Sequence, residues 1–164
     1  MRTIIVIAHD IRSCHNVGSL LRTAEGFGVA KVYLTGYTPY PIAPKDRRLP
    51  HVSAKLAAQI HKTALGAEML ASWEQCDDVL PVLAELRRNG FVIAALEQSP
   101  QSVKLPDFAP PDKIALLLGR EVEGVDAHLL QQCDITLEIP MFGHKESFNV
   151  VQAAAMALYQ CRFR

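Results

Sequence analysis

The sequence predicts an α/β domain, with a mostly parallel sheet flanked by helices. Three observations predict it. Short continuous apolar runs recur, as strands covered on both faces require. Segments of helical periodicity separate them. Three polar motifs each follow an apolar run, and the carboxyl ends of parallel strands are where such sheets hold ligands.

Ile4 to Ala8 is the first run. One positive charge precedes it and His9-Asp10 follows at once, with no small-residue cleavage site, so it reads as a strand and not a signal peptide. Val17, Leu20, Leu21, Ala24 and Phe27 then recur at helical spacing, and Gly26 and Gly28 end that helix. Lys31 to Leu34 is a second strand. Ser53 to Thr63 is a helix with Leu56, Ala57 and Ile60 on one side, and Asp77 to Arg88 is another, closed by Asn89-Gly90. Phe91 to Leu96, Ile114 to Leu118 and Ile135 to Ile139 are three further strands. A last helix runs from about Ser147 to Cys161. The proline-rich stretches 39–50 and 100–111 are loops inside the domain. With 164 residues, 49% hydrophobic and 21% charged, the chain suffices for one domain, 1–164, with a buried core.

Several function classes are disfavoured. No run approaches the roughly 18 to 20 apolar residues that span a bilayer. Cys14, Cys76, Cys133 and Cys161 form no Cys-x-x-Cys pair, and the six histidines lack close ligand spacing, so no metal site is expected. A reducing cytoplasm is the default location for such a chain. Net charge is zero, yet residues 1–62 hold nine Lys/Arg against three Asp/Glu, and residues 63–164 hold eight against fourteen. Either one basic surface results, or folding interleaves the halves and cancels the field.

The first motif is Asn16-Val17-Gly18-Ser19-Leu20-Leu21-Arg22. Asn16 stands where a helix N-cap belongs. Gly18 and Arg22 are four apart on one face, so the bare glycine and the guanidinium suggest a pocket for an anion or ribose-phosphate. An exposed Arg22 paired with Glu25 is the plain alternative. The second motif is Leu118-Gly119-Arg120-Glu121-Val122-Glu123-Gly124. Gly119 at a strand end permits close approach of backbone to a flat adenine. Glu121 is either a site acid or a carboxylate at a helix start. The third is Ile139-Pro140-Met141, a polar loop, then Ser147-Phe148-Asn149-Val150. Pro140 stops the ladder, Ser147 caps the last helix, and Asn149 is expected to be a buried carboxamide on an otherwise apolar turn, which requires several hydrogen-bond partners.

Together these three motifs resemble the SpoU (TrmH-like) branch of the SPOUT RNA ribose methyltransferases. The resemblance covers about Ile5 to Tyr159. Arg120, Val122, Phe148 and Val151 depart from the commoner residues of that family. The resemblance implies a deep C-terminal trefoil knot, a homodimer, and methyl transfer from S-adenosyl-L-methionine to a ribose 2′-hydroxyl of tRNA, or else of rRNA. It implies catalytic roles for Asn16, Arg22, Glu121, Ser147 and Asn149. It implies that Leu96, Gly119, Ile139, Met141, Ser147 and Asn149 hold the cofactor, and that no separate RNA-binding domain is present. A guanidinium is a poor base, so Arg22 is expected to fix phosphate and hydroxyl, oriented by Asn16 and Glu121. Lys45, Arg47 and Arg48 are candidates for contact with the RNA backbone, the alternative being a solvated loop. A non-catalytic RNA-binding or cofactor-sensing module on the same fold is the competing reading, and retention of all five site residues argues against it. A Rossmann-like oxidoreductase is a third, opposed by the lack of a glycine-rich turn after Ile4 to Ala8.

Overall fold

The computed structural model describes all 164 residues. Its strands are β1 (Thr3–His9), β2 (Lys31–Thr35), β3 (Trp73–Cys76), β4 (Val92–Leu96), β5 (Val103–Lys104), β6 (Lys113–Leu118) and β7 (Ile135–Glu138). Its α-helices are α1 (Cys14–Gly26), α2 (Pro50–Ala64), α3 (Val79–Arg88), α4 (Ala127–Leu130) and α5 (Val150–Phe163). All strands pair in parallel, in the order β3-β2-β1-β6-β4-β7-β5. Val6 lies opposite Val32 on one side and Leu116 on the other.

Alternation explains the apolar runs. Ile4, Val6 and Ala8 enter one core with residues of α1, α2 and α5. Ile5 and Ile7 enter a second core with Val79, Val82, Leu83 and Leu86 of α3 and Leu129 of α4. A strand covered on both faces has no solvent side, so its sequence loses the period of two. Burying each such aliphatic side chain contributes about 1.5–3 kcal/mol.

The chain builds outward from β1 through β2 to β3, then crosses to the far side and lays down β4, leaving a slot that β6 fills. The switch in direction therefore falls beside β6, and the carboxyl ends of β1, β6 and β4 open on the same edge. β1, β2 and the helices after them belong to the basic half of the sequence, and they sit together on one side of the sheet. The strands of the two halves do not interleave, apart from the outer β3, yet acids of the second half meet cations of the first, Glu74 at Lys31 and Glu123 at Arg12.

Four expectations need correction. α1 begins at Cys14 with Ser13 as its N-cap, whose hydroxyl accepts from the Asn16 amide, so Asn16 lies inside the helix with its side chain left for other work. α5 begins at Val150, and Asn149, not Ser147, is its cap, accepting from the Val151 amide at 2.9 Å. Asn149 is exposed, not buried. Gly18 is buried at the crossing of α1 and α2, where an added Cβ would lie 2.1 Å from the Ile60 carbonyl oxygen, so its bareness serves helix packing and not an anion. Elsewhere α2 begins earlier than its pattern suggests, because Pro50 suits a first helical turn, and α3 begins at Val79 behind an Asp78 cap.

Candidate active site

A cleft opens at the carboxyl ends of β4, β6 and β7. Its apolar floor includes Leu96, Leu118, Leu137 and Ile139, where three buried strands stop, and Val150 and Ala153 of α5. Its rim is polar and mostly acidic, with Glu97, Glu121, Glu123 and Glu146 against Arg120. Of the expected cofactor residues, Leu96, Gly119, Ile139, Met141 and Ser147 line this cleft and Asn149 does not.

The 119–124 segment is folded back on itself. Arg120 and Gly124 exchange both backbone hydrogen bonds, at 3.1 and 3.0 Å. A Cβ on Gly119 would lie 2.4 Å from the backbone of Gly124, so Gly119 is required for this turn to close. Gly124 has φ +70, which favours glycine. The Glu97 carboxylate lies where a Gly124 side chain would point; it accepts from the Val125 amide at 2.8 Å and the Gln98 amide at 3.1 Å. Glu97 thereby ties the end of β4 to the loop after β6 and fixes two walls of the cleft. Sequence reasoning passed over it, because a lone Glu after an apolar run carries no motif.

At the edge of the cleft, Glu121 reaches across to the start of α1. Its carboxylate accepts from the Arg12 amide at 3.1 Å, the Ser13 amide at 3.0 Å and the Asn16 side-chain amide at 3.1 Å. Burial opposes its ionisation, but the Ser13 and Arg12 amides, its own amide and Asn16 outweigh that and hold the carboxyl below its usual value. The Asn16 side-chain oxygen accepts in turn from the side-chain amide of Asn149 at 3.2 Å. Glu121, Asn16 and Asn149, one from each motif, thus form a single hydrogen-bonded chain. Glu121 is not a helix-start carboxylate; Asp126 caps α4.

Arg22 stands apart. It is exposed on α1 and takes part in none of the ion pairs, with Glu25 or any other acid. Six residues beyond Asn16, it is rotated by about 120° around the helix axis. Asn16 and Glu121 bond each other and not Arg22, which corrects the expectation that they orient it. Lys45 and Arg47 are exposed. Arg48 is committed inward: it pairs with Asp46, donates to the Tyr40 and Pro41 carbonyls at 2.9 Å, and stacks 3.6 Å from the Tyr40 ring centre. No three His, Cys, Asp or Glu side chains are grouped to hold a metal ion.

An apolar floor suits a flat ring, and an acidic rim suits a cation. Two carboxamides and a carboxylate held in a fixed chain at the border are suited to orienting a polar group. Residues 3–159 match the family described as SpoU rRNA Methylase. The 23S rRNA (guanosine-2′-O-)-methyltransferase RlmB of Neisseria meningitidis is 34% identical over 97% of this chain and 58% of its own length. This chain therefore spans about three fifths of that relative. The A. aeolicus TrmH/SpoU tRNA modifying enzyme superposes with a TM-score of 0.80 at 24% identity, over 99% of this chain and 75% of that one. The SpoU methyltransferase AviRb from Streptomyces viridochromogenes, crystallised in complex with AdoMet, gives 0.78 at 21% identity, over 97% and 55%. These likenesses under 25% identity concern the fold. The match over residues 3–159 decides the family: the chain belongs to the SpoU rRNA Methylase family.

Proposed function

We propose that this chain transfers a methyl group from S-adenosyl-L-methionine to a ribose 2′-hydroxyl of RNA. The observation that carries the reading is the Glu121–Asn16–Asn149 chain bordering the cleft, because it joins all three motifs at one place. The residues fit the cofactor. Leu96, Ile139 and Leu118 offer an apolar wall for adenine, and the acidic rim favours a sulfonium and an ammonium. In this reading Leu96, Gly119, Ile139, Met141 and Ser147 hold the cofactor, and Asn149 acts indirectly by capping α5 at the edge of the cleft. When bound, the cofactor supplies an electrophilic methyl group.

The protein's part is binding, alignment and charge. The Glu121 carboxylate fixes Asn16, and Asn16 fixes Asn149, so the border of the cleft is preorganised before RNA arrives. Arg22, exposed and unpaired, grips an RNA phosphate and stabilises negative charge on the 2′-oxygen. Exposed Lys45 and Arg47 add backbone contacts on the same basic half. Arg48 serves to hold the loop that carries them.

The same reading includes a C-terminal trefoil knot, a homodimer and a cytoplasmic location. α5 returns to pack on α1, β4 and β6, as a threaded terminus would require. A homodimer is supported by exposed aromatic surface, where Tyr159 and Phe163 of α5 cluster with Phe27 after α1. Four unpaired cysteines suit a reducing compartment. A tRNA is the first candidate substrate. The Neisseria relative makes an rRNA guanosine the second.

The test is incubation with labelled S-adenosylmethionine and total RNA from a strain lacking the gene, then mass-spectrometric mapping. One 2′-O-methylated nucleotide supports the reading. Donor binding without any methylated RNA favours a non-catalytic module, and a methylated base contradicts the ribose assignment.

A further inference from the structure

A second depression lies on the same edge of the sheet, at the carboxyl ends of β1, β2 and β3. It is lined by Arg12, Cys14, Tyr37, Tyr40, Gln75 and Asp77 among others. Two loops build it. Residues 10–13 follow β1 and residues 36–38 follow β2, and side chains lace these loops and strand ends together. The Thr38 hydroxyl accepts from the Ile11 amide at 3.0 Å and donates to the Ala8 carbonyl at 3.0 Å. His9 Nδ1 and the Thr35 hydroxyl are 2.9 Å apart. Asp10 has φ +55, a left-handed conformation that non-glycine residues seldom adopt. There its carboxylate accepts from the Tyr37 amide at 3.0 Å and lies over Gly36, occupying the place of any Cβ that position might carry.

This arrangement fixes the backbone from which two exposed side chains project. Tyr37 is 52% exposed. The Arg12 side chain is 67% exposed, and its guanidinium reaches Glu123 on the cleft rim at 3.6 Å. The Arg12 amide is also one of the donors to Glu121. Arg12 therefore links the depression to the rim of the methyl-transfer cleft through Glu121 and Glu123. From β4 to β2 is three strand spacings, roughly 14 Å, a distance that about four nucleotides of stacked strand cover.

We infer that Tyr37 and Arg12 form a subsite for a nucleotide about four along the strand from the methylated one, with its base stacked on the Tyr37 ring and its phosphate on the Arg12 guanidinium. The inference rests on the RNA methyl-transfer reading and names part of its substrate contact. An aromatic face with an adjacent guanidinium is the chemistry that binds single-stranded nucleic acid without reading its sequence. Bracing by Asp10 and Thr38 lowers the ordering cost of stacking. Tyr37 pairs with no other ring, whereas the exposed aromatics near α5 cluster with one another.

The test uses the full chain and filter retention of labelled total RNA, with calorimetry of S-adenosylmethionine in parallel. Tyr37→Ala is expected to weaken RNA retention about 10-fold, and Tyr37→Phe, which keeps the ring, to stay within about 2-fold of wild type. Arg12→Ala is expected to weaken retention and to flatten the dependence of log affinity on log salt by about 0.7. Donor affinity should not move in either Tyr37 variant. Wild-type retention by Tyr37→Ala overturns the inference and leaves the methyl-transfer reading intact. A wild-type protein that binds neither donor nor RNA overturns that reading itself. Equal losses in Tyr37→Phe and Tyr37→Ala overturn stacking in favour of the hydroxyl.

Discussion

The side chains of Asn16 and Asn149 meet at 3.2 Å across 133 residues of sequence. Each is also held from behind, Asn16 by the Glu121 carboxylate and Asn149 by the Val151 amide whose bond it accepts. The contact ties the first turn of α1 to the N-terminus of α5. It also separates two roles of Asn149 that substitution can pull apart.

Asn149→Ser keeps an N-cap but is too short to bridge. Its stability should stay within about 0.5 kcal/mol of wild type, whereas Asn149→Ala should lose about 1 kcal/mol. Both should lose methyl transfer at least 10-fold. Urea melts and methyl incorporation measure the two effects. An active Asn149→Ser would show that the Asn16 contact is dispensable.

Glu121 makes stability depend on acid. Its folded carboxyl titrates below the ordinary 4.5, so its contribution is complete above about that pH and is lost as pH falls through the folded value. Melting temperatures followed from pH 6 to pH 3 should show wild type exceeding Glu121→Gln at the upper end and converging with it at the lower. Parallel curves would deny the carboxylate this role.

Gly18→Ala inserts a methyl group 2.1 Å from the Ile60 carbonyl oxygen and 2.3 Å from the Thr63 hydroxyl. The backbone oxygen cannot swing away, so α1 and α2 must separate. The expected cost is about 1–3 kcal/mol, read from chemical denaturation. A neutral substitution would mean that the helix crossing is loose.

Arg22→Ala should behave in the opposite way. The side chain is exposed and outside every ion pair, so stability should change by less than about 0.5 kcal/mol. Methyl transfer should be abolished and donor affinity kept within a few-fold. Loss of donor binding would assign Arg22 to the cofactor instead.

Much of this was legible in the sequence. Ile4 to Ala8, Ile114 to Leu118 and the helix through Leu20 and Leu21 announce themselves, because burial on both faces or on one stripe leaves a pattern. β3 did not, since Trp73-Glu74-Gln75-Cys76 is a partly exposed edge strand with no apolar run; β5 is two residues long. The caps were misplaced by two or three residues, since Ser13 and Asn16, like Ser147 and Asn149, are equally good capping types and only tertiary contacts choose between them. The motifs foretold that Asn16, Glu121 and Asn149 belong together. They could not foretell that these bond one another and leave Arg22 aside. The Tyr37 platform left no pattern, because it depends on a left-handed Asp10 and on contacts between two loops.

The central claim is that the cleft at the ends of β4, β6 and β7 seats the methyl donor beside the Glu121–Asn16–Asn149 chain. Crystals grown with S-adenosylmethionine test it most directly. The account predicts the adenine against Leu96, Gly119 and Ile139, with the transferable methyl directed to the Asn16 side. Density for the donor elsewhere on the molecule, or a methyl group pointing away from Asn16, would contradict it.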